Sequence, residues 1–203
     1  MKLGILNYKI GNLASIQNAF LKIGQPALII EEADKIKECS HLILPGVGAF
    51  GEAMEHLKTN GMQEAILDFV QSGNNLLGIC LGMQLLFERS YEFGEHKGLG
   101  LLKGEVVRFE ENNLQKGEKI PHIGWNNVKN KQNSSLLKDL PLDFYLYFVH
   151  SYCVRDTHNA VGISYYGGDF ASIVQKDNIY GIQPHPEKSH NLGLKILANF
   201  LQL

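Results

Sequence analysis

The first hundred residues alternate two periodicities, and that alternation limits the fold more than any other feature of the chain. Short apolar runs, "KLGILNY", "ALII", "HLILPG" and "NLLGI", read as buried strands. Between them lie stretches with helical spacing: "NLASIQNAFLKIG" closed by Gly24, the short polar "EEADKIKECS", and the segment from about Gly51 to Val70. A further helix is predicted from Leu81 to Arg89. Strand-helix repeats imply crossover connections. The expected fold is therefore α/β: an open, twisted, mixed but largely parallel sheet with helices on both faces. Ligands of such sheets bind beyond the carboxyl ends of the strands.

The second half changes character. "GEVVRF", "IGWNNV", "FYLYFVHSY", "AVGISYY", "FASIVQK" and "IYGIQ" are strand-like with few helices between them, so antiparallel additions are expected. "QKDNIY" reads as a hairpin turn on Asp177-Asn178. Residues 110–119 form a polar surface loop, and a helix from about Asn191 to Leu201 closes the chain. With 203 residues, 44% of them hydrophobic, the chain can build a sizeable core, and a single domain over 1–203 is expected.

Composition narrows the function classes. A net charge of -2, from 19 Lys and Arg against 21 Asp and Glu, gives no polyanion-binding signature, so no nucleic-acid partner is expected. No apolar run is long enough to span a bilayer, and "MKLGILNY" lacks a signal-peptide layout. A soluble, cytoplasmic protein without a membrane partner is expected. The three cysteines, Cys39, Cys80 and Cys153, are odd in number and lack a C-x-x-C pair. That points away from a disulfide framework and from a structural zinc site.

Cys80 stands apart. In "LLGICLGMQLLF" it sits between Gly78 and Gly82 where a strand turns into a helix. Small flanking residues permit a sharp turn that projects the side chain outward, the geometry of a nucleophile elbow with sulfur in place of oxygen. The following helix directs its dipole and free N–H groups toward the sulfur, favouring negative charge there. The N–H of Leu81 is then available to an oxyanion. A lone cysteine is more often a buried small hydrophobe, so a base must be found.

The base candidate lies in "YGIQPHPEKS", where His185 and Glu187 flank Pro186. A residue before proline is extended, and side chains two apart on an extended chain share a face. Imidazole and carboxylate thus project together, as a base and its orienter must. His150 in "FVHSY" and His122 in "PHIGWN" are weaker candidates, better read as core or rim histidines. His41, His56, His96, His158 and His190 lie in no motif, and no spacing of three converging ligands suggests a metal. "LPGVGAF", residues 44–50, is a glycine loop after a strand whose N–H groups can face an anion. A thiol, a His-Glu pair and an oxyanion loop together describe acyl transfer from an amide or ester.

These residues carry a resemblance. "PGVGAF", "GICLGMQLLF", "PHIGWN", "YFVHSY" and "QPHPEKS", in this order, resemble the class I (triad) glutamine amidotransferases, whose fold is flavodoxin-like. Within them the chain is similar to the glutaminase subunits of imidazole glycerol phosphate synthases of histidine biosynthesis. The likeness runs from the first strand through "GNL" to the final "GLKILANFL".

The resemblance implies glutamine hydrolysis to glutamate and ammonia by a Cys80, His185 and Glu187 triad. It implies an oxyanion hole from the N–H groups of Val47 and Leu81, and glutamine binding by Gly48, Gln84, Glu92, Ser151 and Tyr152. No cofactor or metal is implied. The implied partner is a (β/α)8-barrel cyclase subunit that receives the ammonia, docked through Asn12, Trp125, Tyr147 and Lys188. Low basal glutaminase activity until that partner binds its nucleotide is also implied.

Three positions in two motifs depart from the pattern. The first-strand motif reads "NYKIGNL", with Asn7 and Lys9 where the family has Asp and Gly, and Pro184 replaces an aromatic residue before His185. The first change bears on partner identity. The competing expectation is therefore a glutaminase feeding a different barrel synthase, in surface-polysaccharide or flagellar-glycan biosynthesis. A more distant one is a non-catalytic binding module on the amidotransferase fold.

Overall fold

The computed structural model describes residues 1–131 and 133–203. Five strands form its parallel centre. They are β1 (Leu3–Leu6), β2 (Leu28–Ile30), β3 (His41–Leu44), β4 (Asn75–Ile79) and, from the far end of the chain, β13 (Ile179–Ile182). Their spatial order is β2-β1-β3-β4-β13, all parallel. The order reverses about β1, and every crossover inside this centre carries a helix or a 3-10 turn.

Alternation along these strands separates two cores. Leu6, Leu42, Leu44 and Leu76 face α2 (Phe50–Thr59), α3 (Met62–Gln71) and α4 (Leu81–Leu85). Leu3, Ile5, Ile43, Leu77 and Ile79 face α1 (Leu13–Lys22) and α5 (His190–Phe200). Both faces of the central strands are thus apolar, which is why their sequences read as continuous hydrophobic runs. Asn12 caps α1 by accepting from the Ser15 N–H, and Gly24, at φ +81°, follows its end.

Beyond the centre, β12 (Asp169–Lys176) adds antiparallel to β13 through the two-residue Asp177-Asn178 turn, with Asp177 at φ +52°. The sheet continues through β10 (Tyr152–Val154) and β7 (Leu102–Arg108) to β5 (Phe87–Ser90) and β6 (His96–Lys97). β11 (Ala160–Tyr165), β8 (His122–Asn130) and β9 (Asp143–His150) branch from β12 as an antiparallel wing.

One expected element is corrected. The predicted helix from Leu81 to Arg89 ends at Leu85, and Phe87–Ser90 is a strand. It pairs in parallel with β7 and antiparallel with β6, and Phe87 is fully buried. Ladder hydrogen bonds and burial override a local pattern that fits either period.

Candidate active site

Four strand ends meet at the carboxyl edge of the parallel centre: β1 at Asn7-Tyr8, β3 at "PGVG", β4 at Cys80 and β13 at Gln183-Pro184-His185. The turn at Cys80 is sharp. Its φ of +54° and ψ of -113° are rare for a residue with a side chain, a strain on the order of 1–3 kcal/mol. The flanking glycines permit it by close approach rather than by their own dihedrals. A Cβ on Gly78 would lie 2.5 Å from the Gly82 carbonyl oxygen, and one on Gly82 would collide with the Leu44 carbonyl. The "PGVG" loop is held as closely: a Cβ on Gly46 would lie 2.8 Å from Leu81 Cβ and 3.0 Å from the Tyr8 hydroxyl. That hydroxyl, buried, donates to the Pro45 carbonyl at 2.5 Å. Burial, and then the nearby Cys80, push the Tyr8 phenol well above its usual pKa, so it remains a donor.

His185 and Glu187 come together as expected, by a different local route. His185 is extended (φ -97°, ψ 97°), whereas Glu187 lies in a 3-10 turn, Pro186–Lys188. Within that turn His185 Nδ1 and Glu187 Oε1 pair at 2.8 Å, with the two side chains only 6% and 2% exposed. The Ser189 hydroxyl locks the turn, donating to the His185 carbonyl at 2.6 Å and accepting from the Tyr147 N–H at 3.0 Å. The other imidazole nitrogen, Nε2, is buried and has no hydrogen-bond partner among the described residues. Burial lowers the His185 pKa, but the neighbouring Cys80 and Glu187 outweigh it and raise it to about 10. The site thus favours the imidazolium that forms when His185 takes up a proton.

Cys80, His185 and the expected substrate contacts open onto one cavity of about 310 Å³. Its lining includes Val47, Gly48, Leu81, Gln84, Glu92, Ser151 and Tyr152. Every residue named for the oxyanion and the substrate is therefore on its wall. Leu81 N–H is the first of α4 and has no intrahelical acceptor. Glu92 also accepts from the Phe50 N–H at 2.7 Å, capping α2, and burial raises its pKa. A wider cleft of about 640 Å³ shares Glu92 but contains no nucleophile.

His150 lines the cavity, and His122 is joined to it in a fixed chain. A carbonyl only accepts, so His150 Nδ1 donates to Tyr152 O (2.8 Å), and His150 Nε2 accepts from His122 Nδ1 (3.0 Å). His122 Nε2 in turn accepts from Asn126 Nδ2 (3.3 Å). Burial lowers both imidazoles, His122 to about 4 and His150 to about 3, so both are neutral. The rim reading of these histidines fits better than a catalytic one. Among the described residues, no group of three or more His, Cys, Asp or Glu could hold a metal ion.

Of the expected docking residues, Trp125 and Tyr147 face each other across β8 and β9. Trp125 is 46% exposed and stacks on His190, and the Lys188 ammonium lies 5.8 Å from the centre of the Tyr147 ring. Asn12 lies at the start of α1, whose side packs against the Pro186–Lys188 turn. Ile123 and Tyr145 share this outward face and are exposed, an extension that the strict alternation of "DFYLYFVH" could have signalled. Sequence reasoning also missed Tyr8, Gln183 and Ser189.

The family described as glutamine amidotransferase class-I matches residues 6–203. The chain belongs to this family. A relative from Wolinella succinogenes, named imidazole glycerol phosphate synthase subunit HisH, is 55% identical, with 98% of each chain covered. One of the same name from Sulfurimonas denitrificans is 56% identical over 98% of this chain and 96% of its own. The solved structure of PurLQS from Thermotoga maritima superposes with a TM-score of 0.76 at 20% identity, covering 100% of this chain and 99% of that one. That likeness shows the fold. The chain is a glutamine amidotransferase, and the α/β sheet expected from the sequence is the class I architecture.

Proposed function

We propose that this chain is the glutaminase subunit of an imidazole glycerol phosphate synthase, a single amidotransferase domain over 1–203. The observation that carries the chemistry is the Cys80 elbow opening onto the same cavity as His185, which is paired with the buried Glu187. Relatives at 55% and 56% identity bear that subunit's name, which favours the histidine pathway over the surface-sugar reading.

In the proposed reaction Cys80 Sγ attacks the side-chain amide carbon of glutamine. Negative charge passes to the amide oxygen, which the N–H groups of Leu81 and Val47 receive. His185 takes up the thiol proton through Nε2 and returns it to the leaving nitrogen, which departs as ammonia. Glu187 holds His185 at Nδ1 and balances its charge. The S–C bond formed is a glutamyl thioester. Water then attacks, with His185 as base, and releases glutamate and the free sulfur. Gly48, Gln84, Glu92, Ser151 and Tyr152 bind the substrate.

The ammonia passes to a (β/α)8-barrel cyclase subunit docked on the patch of Asn12, Trp125, Tyr147 and Lys188. That patch borders the cavity, whose wall includes Lys188. The 45–48 loop supports a route to activation. Gly46 and Gly48, the latter at φ +93°, flank Val47, so a peptide flip that presents its N–H is open to the backbone. A cytoplasmic location accords with this role. No helix among the described residues is long and apolar enough to cross a membrane.

The test is glutamate release by the chain mixed with its barrel synthase, with and without the acceptor nucleotide. Stimulation that disappears in Cys80→Ala is expected. No stimulation, with Cys80 still labelled by a glutamine-mimicking electrophile, would redirect the glutaminase to another synthase. No labelling at all would leave a non-catalytic module.

A further inference from the structure

We propose that Gln183 positions both the Cys80 sulfur and the substrate-facing amide of Gln84. This rests on the reading of Cys80 as the glutaminase nucleophile. Gln183 is fully buried immediately beyond β13, two residues before His185. An amide in such a place must have both ends satisfied, and the order in which they are satisfied can be read outward from a group of fixed polarity.

That group is the Tyr152 carbonyl, which can only accept. Gln84 approaches it at 3.0 Å, so the end of Gln84 that faces it is the NH₂. The same nitrogen lies 2.9 Å from Gln183, so the end of Gln183 turned toward Gln84 is its oxygen. The Gln183 NH₂ therefore points the other way, where it lies 3.7 Å from Cys80 Sγ. A backbone carbonyl thus dictates, through two amides, that the sulfur receives an N–H donor.

The arrangement has two consequences. With its nitrogen spent on Tyr152 and Gln183, Gln84 has only Oε1 to offer the cavity it lines, so it accepts from an N–H of bound glutamine. The Gln183 N–H stabilises negative charge on sulfur, both in the nucleophile and in the leaving group of the thioester. Gln183 thereby couples substrate orientation to the reacting atom.

The experiment compares Gln183→Met and Gln183→Glu in the full chain complexed with its synthase subunit, reading kcat and KM for glutamine against pH. Methionine fills the slot without donor or acceptor. The expected result is a kcat lower by about tenfold to a hundredfold, the worth of a hydrogen bond to a charged group. KM should rise about fivefold, the worth of a neutral one. Glutamate keeps an acceptor for Gln84, so KM should stay near native. Its protonated form donates to sulfur and its ionised form repels it, so kcat relative to the native enzyme should fall as pH rises.

Gln183→Met with kcat and KM both within about twofold of native would overturn the proposal, since no hydrogen bond of the usual worth would have been lost. So would a pH-independent Gln183→Glu ratio, which marks a packing role. If Gln183→Met fails to fold, the Gln183→Glu profile decides. If neither folds, Gln183 is a core residue and the proposal fails. Glutamate release that persists in Cys80→Ala would instead sink the nucleophile reading, so the two failures are distinguishable.

Discussion

Replacing Gly78 by alanine tests how tightly the sulfur's position depends on contact between β4 and α4. A Cβ at residue 78 would lie 2.5 Å from the Gly82 carbonyl oxygen and 2.7 Å from the Met83 nitrogen. Both are backbone atoms, so no side chain can rotate away. Restoring ordinary contact at 3.4 Å requires α4 to lift by about 0.9 Å. α4 is closely held elsewhere too, because a Cβ on Gly82 would collide with the Leu44 carbonyl and one on Gly46 would lie 2.8 Å from Leu81 Cβ. The overpacking should cost about 1–3 kcal/mol. The same shift would carry Cys80, the Leu81 N–H and Gln84 out of register with His185. A displacement near 1 Å in an active site lowers the rate on the order of a hundredfold. Urea unfolding measures the first effect, and glutamate release by the complex measures the second. Gly78→Ala with native stability and kcat within about threefold of native would refute the reasoning, because the elbow would then tolerate displacement.

Lys9 is exposed and sits at φ +72°, where a side chain costs about 1–2 kcal/mol. After the extra unfolded-state entropy of glycine, Lys9→Gly should stabilise by about 0.5–1 kcal/mol in urea unfolding, and destabilisation would contradict this. For His185 the folded pKa is raised from 6.5 to about 10. Its contribution is thus complete below pH 6.5 and lost as pH rises through about 10, so the stability gap between native and His185→Gln should shrink across that window. His122 and His150 are lowered to about 4 and about 3, so their contribution is present above pH 6.5 and lost as pH falls through those values. Their imidazole resonances should hold neutral-form positions well below pH 6.5, and titration near 6.5 would break the chain deduced for them. Trp125→Ala should weaken synthase binding by about 2 kcal/mol or more, as truncation of an aromatic anchor does. An unchanged Kd by calorimetry would remove Trp125 from the docking surface.

What could be read from the sequence was whatever depends on neighbours along the chain. The alternation of apolar runs and helical stretches specified the parallel centre, because each βα unit is local. The Cys80 corner and the His185-Glu187 pair could be named because strand, turn and functional side chain are contiguous in each. Leu81 to Arg89 was misread because its periodicity fits a helix, while the partner strands of Phe87–Ser90 lie up to sixteen residues downstream. Glu187 meets His185 through a 3-10 turn rather than an extended chain, so the pairing survived an incorrect local geometry. Tyr8, Gln183 and Ser189 were out of reach for one reason. Each acts on a group brought near by tertiary structure: Pro45, Cys80 and Tyr147.

The structure also marks this site without reference to any relative. Most of the chain obeys local rules: apolar residues face two cores, polar ones face water, and positive φ falls mainly on glycine. Several departures from those rules come together here. Cys80 takes a positive φ although glycine would fit better, Gly78 and Gly82 leave no space for a Cβ, and His185 Nε2 and Glu187 Oε2 are buried without hydrogen-bond partners among the described residues. His185, shifted upward, and His150, shifted downward, line the same cavity, and His122, also shifted downward, hydrogen-bonds to His150. Strain and buried unpaired groups each lower stability, and a chain selected only to fold would not gather them. Their coincidence around one sulfur is what a nucleophile held ready for an amide requires. It also predicts which substitutions would stabilise the chain at the expense of activity: those that relax the corner at Cys80.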